Sequence, residues 1–181
     1  RKLKNVQSVE GGHSVDVIAR KQGSDEEHAI KVMGKTDKLN QITIIDGKLP
    51  QASGECLVDE WYAQQNDLKT GDVLNLSSGN EDDLKDTLKD TTYKITGIGS
   101  SSEYLSRSRG STGIGTGTLS GFIVVQPSEF SSDIYTEVYL TAKGAKQERA
   151  DSDDYKKKVK QLEEEIKDIS KIKNEKRIKY V

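Results

Sequence analysis

No apolar run in this sequence is longer than four residues, and Phe122-Ile-Val-Val125 is the one that reaches four. That restriction removes a membrane span, which needs about 20 consecutive apolar residues. It leaves short strands and amphipathic helices as the available elements. Leu, Ile, Val and Phe together number 41 of 181 residues, about 23%, slightly above the level of roughly 20% below which chains stay disordered. The core is therefore lean, and the length suits one domain or two small subdomains sharing that core.

Turn residues cut the chain into strand-sized pieces. Val6, Val9, Val15, Val17, Ala19, Ala29, Ile30 and Val32 alternate between Gly11-Gly12 and Gly23-Ser24-Asp25, which reads as successive strands and turns. Gln41 to Ile45 is a further strand that runs into Asp46-Gly-Lys-Leu-Pro50. Glu55 to Val58 reads as another, and Asp59 is placed to cap a short helix reaching about Leu68. Val73 to Leu76, Tyr93 to Ile98, Phe122 to Val125 and Thr136 to Thr141 complete the strand pattern. Ser77 to Asp90 is polar and acidic apart from Leu84 and Leu88, and reads as a surface excursion. Gly99 to Gly121 is dominated by serine, threonine and glycine, a length at which a loop is usually functional or mobile.

The last thirty residues differ. Asp151, Ser152, Asp153 and Asp154 open a helix and Lys171 to Lys179 close it, as the helix dipole favours. Tyr155, Val159, Leu162, Ile166 and Ile169 are spaced 4, 3, 4 and 3, a heptad seam that predicts a partner helix absent from the chain. The expected fold is α+β: a small mixed β-sheet domain over 1–150, short helices, and a long coiled-coil-like helix over 151–181.

Charge and chemistry narrow the function. With 28 Lys+Arg against 30 Asp+Glu, nothing favours nucleic acid or an anionic membrane as partner. The single cysteine, Cys56, excludes an intramolecular disulfide and a thiolate metal cluster. It lies in an apolar strand with no histidine beside it, so a buried hydrophobe is expected and a nucleophile is not. His13 and His28 lack any metal-ligand spacing. Gly110-Ser-Thr-Gly-Ile-Gly-Thr-Gly-Thr118 lacks the lysine of a phosphate-binding loop and is followed by a strand rather than a helix. No catalytic set, cofactor or metal is expected. The loop reads instead as a surface, with Tyr104, Arg107, Arg109 and Ile114 as candidate contacts.

Three blocks carry a resemblance to a known family. Asp46-Gly-Lys-Leu-Pro-Gln-Ala-Ser-Gly-Glu-Cys-Leu-Val-Asp59, Leu68-Lys-Thr-Gly-Asp-Val-Leu-Asn-Leu76 and Tyr93-Lys-Ile-Thr-Gly-Ile98 resemble the extracytoplasmic core of FtsX-like, MacB-type ABC transporter permeases. Tyr104 to Gly117 and Tyr135 to Ala145 are similar to the long permeases of Gram-positive bacteria. The resemblance implies a non-catalytic domain outside the cell membrane, between two membrane helices of a parent protein. It also implies a coiled-coil insertion, and a cytoplasmic ATPase partner whose ATP hydrolysis is coupled to export of a substrate or to an extracellular partner. A chain starting at Arg1 with no initiator methionine and no apolar leader fits a piece of such a protein. The alternative is a free-standing cell-surface module that grips protein or glycan with the loop Gly99 to Gly121.

Overall fold

The computed structural model describes residues 3–104 and 106–178, with side chains described as far as 168. It is α+β and dominated by strands: β1 (Val6–Gly12), β2 (Ser14–Lys21), β3 (Glu27–Gly34), β4 (Ile42–Gly47), β5 (Glu55–Asp59), β6 (Val73–Ser77), β7 (Thr92–Ser101), β8 (Gly121–Val125) and β9 (Glu137–Ala142), with helices α1 (Glu60–Gln65) and α2 (Asp153–Ile178). The described residues fall into two compact units, one within Gly11–Val138 and the other within Arg1–Glu10 and Tyr139–Val181.

In the larger unit seven strands run in the order β4-β7-β5-β8-β3-β2-β6, and β6 pairs again with β7. That last pairing turns the expected mixed sheet into a closed barrel. Strand β7 is long enough to be shared: Thr92 to Lys94 pair with β6, Gly97 to Ser101 pair with β4, and the other edge carries β5 in parallel. The parallel partners are β5 with β7 and β3 with β8, and the remaining pairs are antiparallel. Closure of β7-β5-β8-β3-β2-β6 pairs both edges of those six strands, while β4 hangs on β7 outside the ring with its other edge unpaired among the described residues.

The period of two along each strand fills the barrel. Val17 and Ala19, Ile30 and Val32, Cys56 and Val58, Leu74 and Leu76, Tyr93 and Ile95, and Ile123 and Val125 form one buried cluster, which Tyr62 and Ala63 of α1 join. Gly121 lets α1 approach β8, because a Cβ there would overlap the Tyr62 side chain. The polar excursion after β6 is not wholly a surface feature. Leu84 and Leu88 reach the same cluster, and Leu88 bridges to Phe130. All five residues of β8 are buried, since Phe122 and Val124 point the other way into an outer cluster with Met33 and Leu57.

The smaller unit is built on the two-stranded sheet of β1 and β9. Helix α2 starts where the acidic residues predict, and the Ser152 hydroxyl accepts from the Tyr155 amide at 3.2 Å. Tyr155, Val159, Leu162 and Ile166 pack with Val6, Leu140, Ala142 and Ala145. The seam thus meets the sheet of its own unit rather than waiting for a partner helix, and α2 belongs with residues 139–150 instead of separating from them. The side chain of Ile169 and those of the cationic stretch from Lys171 lie outside the described residues.

Candidate functional site

The loop between β7 and β8 returns across the start of α1, and its charged side chains meet there. Asp59 ends β5 and caps α1, its Oδ1 accepting from the Trp61 amide at 3.4 Å. Arg109 grips the same carboxylate with two bonds, Nε to Oδ2 at 2.8 Å and Nη2 to Oδ1 at 3.0 Å. Its Nη1 donates to the Ser106 carbonyl at 2.6 Å. The pair is shut away from water, with side-chain exposures of 8% for Arg109 and 1% for Asp59. A bidentate arginine and carboxylate form a charge-assisted, directional contact, and burial shields it from the salt screening that weakens surface pairs.

Aromatic rings surround this ion pair. The Arg109 guanidinium carbon lies 5.0 Å from the Tyr104 ring centre, and Tyr104 in turn stacks on Phe122 at 5.4 Å and 19°. Desolvation and the carboxylate of Glu103 push the Tyr104 phenol up to about 12. Arg107 is exposed and sits 4.3 Å over the ring of Trp61, the only tryptophan of the chain. Ile114 packs with Leu119 against Ile18 and Ala29.

Of the four candidate contacts, the structure brings Tyr104, Arg107 and Arg109 together beside α1 and places Ile114 at a separate apolar anchor. Arg109 and Tyr104 spend their polar and aromatic faces inside the protein. Arg107 and Trp61 are left as the pair that solvent reaches. Asp59 and Trp61 were missing from the sequence-based set. The capping position of Asp59 was legible, but its second role as the counterion of Arg109 depends on a contact across fifty residues of sequence.

The other sequence candidates behave as ordinary structural groups. Cys56 is fully buried, and burial pushes its thiol far above the ordinary range. His28 lies 3.4 Å from the Tyr62 hydroxyl, whereas His13 stacks on Phe130 at 5.0 Å. Among the described residues no group of three or more His, Cys, Asp or Glu side chains is placed to hold a metal ion. A cleft lined by Met33, Thr36, Asn40, Ile42, Leu49 and Val124 encloses about 20 Å³, room for about one water molecule. Among the described residues no helix is long and apolar enough to cross a membrane.

The three sequence blocks that carry the family resemblance meet on one strand. The first supplies the end of β4 and all of β5, the second supplies β6, and the third is the first half of β7, to which all of these pair. The turns of the first two blocks are stitched to the same strand, Lys48 N–H to the Thr96 carbonyl at 2.9 Å and Gly71 N–H to the Ile95 carbonyl at 2.8 Å.

No family model and no curated protein matches this sequence. Solved structures do. The extracellular domain of the noncanonical ABC-type transporter YknZ from Gram-positive bacteria is 12% identical, with a TM-score of 0.49 over 80% of this chain and 70% of that one. A domain of a protein assigned as a permease, from Porphyromonas gingivalis, is 11% identical, with a TM-score of 0.48 over 80% of this chain and 64% of that one.

Proposed function

We propose that this chain is an extracytoplasmic domain of an FtsX-like, MacB-type ABC transporter permease and that it works mechanically rather than catalytically. The observation that carries the proposal is the convergence of the three family-like blocks on β7. Residues far apart in sequence that resemble the family's motif here build one contiguous structural element, so the resemblance is borne by packing and not by scattered coincidences of composition. In this reading residues 1–150 hold the part that corresponds to the family core, and α2, seated on its own sheet from Tyr155 to Ile166, continues past that sheet as a helical arm in the parent protein. The domain stands on the outer side of the cell membrane. Conformational change driven by a cytoplasmic ATPase reaches it through the parent's membrane helices and is passed to an exported substrate or to an extracellular partner.

The test uses the full-length gene product in its native membrane. Cys56 is buried, so it is a silent background for Glu81→Cys in the exposed excursion. A membrane-impermeant maleimide should label Glu81→Cys in intact cells, and an ATPase subunit should copurify with the full-length protein in mild detergent. Labelling only after lysis overturns the proposal. Surface labelling without a copurifying ATPase favours the free-standing surface module instead.

A further inference from the structure

The segment from residue 102 to 120 joins β7 to β8, yet the barrel's pairing uses only the strands on either side of it. Most of its own backbone bonds close locally: Thr112 N–H donates to Gly117 O at 3.1 Å, Gly117 N–H to Ile114 O at 3.1 Å, and Leu119 N–H to Gly110 O at 3.0 Å, while Ser120 N–H, next to β8, donates to Ala29 O of β3 at 2.8 Å. Side chains fasten it to the barrel. Leu119 and Ile114 sit on Ile18 and Ala29 at the end nearer β8. At the other end Arg109 holds Asp59, Arg107 covers Trp61, and Tyr104 lies on Phe122.

Tyr104 packs, together with Ile42 and Leu49, on the outer apolar cluster of Met33, Leu57, Phe122 and Val124, a surface turned away from the barrel interior. We infer that the 106–120 segment is a strap latched by Arg109 on Asp59, and that unlatching it frees Tyr104, which the Arg109 guanidinium contacts, and uncovers the part of this outer face that Tyr104 covers while the barrel stays closed.

Three features make the ion pair a latch rather than one contact among many. Removing either charge strands the other in a dry site, so the interaction is held in full or lost outright. The strap between its anchors is rich in glycine and serine and buries little that would hold it in place once the pair is broken. Asp59 also caps α1, so the state of the latch is felt at the start of the helix that carries Trp61. That tryptophan, lying under Arg107, is a built-in optical reporter.

The inference is tested by native-state hydrogen exchange on the wild-type protein, followed by Arg109→Ala and Asp59→Asn. In the wild type, the hydrogen-bonded amides of Thr112, Gly117 and Leu119 should exchange through an opening with much weaker denaturant dependence than that of β7 and β8. In Arg109→Ala their protection should drop about a hundredfold. Trp61 emission should shift to the red and a hydrophobic dye should bind, with the β-sheet circular dichroism unchanged. Two results overturn the inference: strap amides in the wild type that exchange only with global unfolding, and strap protection that survives both substitutions in folded variants. The wild-type measurement decides the matter even where a variant does not fold.

Discussion

A Cβ on Gly97 would overlap the backbone of Lys48, from its amide nitrogen to its carbonyl oxygen. The contact sits where β4 leaves β7 and where the Lys48 amide is tied to the Thr96 carbonyl. Backbone cannot retreat as a flexible side-chain tip can, so Gly97→Ala must part the turn from the strand. The expected cost is about 3 kcal/mol, measured by urea unfolding. A substitution at Gly110, where a Cβ meets nothing within 4 Å, supplies the contrast, with only the strain of its φ of 101° to bear.

Inside the barrel unit, the Tyr93 hydroxyl donates to Glu129 Oε2 at 3.0 Å, and both residues are buried, at 0% and 1% exposure. The bond ties the turn at Pro127–Glu129 to the middle of the sheet. Burial, followed by the charge of Glu129, pushes the Tyr93 phenol far above its ordinary range, so it stays a donor at any accessible pH. Tyr93→Phe keeps the ring and removes the donor. It should cost about 1–3 kcal/mol, the penalty for leaving a buried acceptor without its partner, whereas Tyr93→Phe combined with Glu129→Gln should recover part of that loss in a double-mutant cycle.

Asp72 supplies a pH dependence. Lys21 Nζ lies 2.8 Å from its Oδ2 and the Lys69 amide donates to the same oxygen at 2.9 Å. The lysine contact first, and the amide second, hold the carboxyl below the usual value. A carboxyl lowered in the folded state adds stability above its unfolded value of about 3.9. That stability is lost as pH falls through the lower folded value. Because both side chains are about a third exposed, the contribution is below about 1 kcal/mol. Asp72→Asn should therefore lose a little stability at pH 7 and converge with the wild type in strong acid. Equal unfolding midpoints at both pH values would count against the pairing.

Strand positions, the cap at Asp59 and the start of α2 were legible because each depends on a local rule: alternation, a short polar acceptor before a helix, acidic residues in a first turn. Closure of the sheet was not legible. It depends on β7 dividing one edge between β6 and β4, and nothing in the pattern of Tyr93 to Ile98 distinguishes a strand with two partners from one with three. The attachment of the glycine-rich loop was not legible either. Composition suggests a free surface, but Ile114 and Leu119 seat one end, and the Arg109 ion pair with the ring contacts of Arg107 and Tyr104 seats the other. Tyr104, Arg107 and Arg109 were picked out because cations and aromatics are conspicuous among serine and glycine. Their partners, Phe122, Trp61 and Asp59, lie on other elements and emerge only once the chain is folded.

The seam of α2 gives the last prediction. A stripe spaced 4, 3 and 4 suits a partner helix and a narrow sheet equally well, since both present an apolar groove about one side chain wide. Here the sheet takes it: Leu162 is 6% exposed and packs with Val6, Leu140, Ala142 and Ala145. Lys158 secures the same face, its Nζ donating to the Gly144 carbonyl at 2.9 Å and pairing with Glu148. At the chain's other end, Glu165 accepts from the backbone amides of Lys4 and Asn5 at 2.8 and 2.9 Å. Leu162→Ala empties the centre of this small cluster and should cost its unit about 2–4 kcal/mol, enough to release most of a helix that is marginal in isolation. Helical circular dichroism and the exchange protection of α2 should both fall. A helix that keeps its protection in Leu162→Ala, or that loses it only on dilution, would mean that the seam is held by a second copy and not by its own sheet.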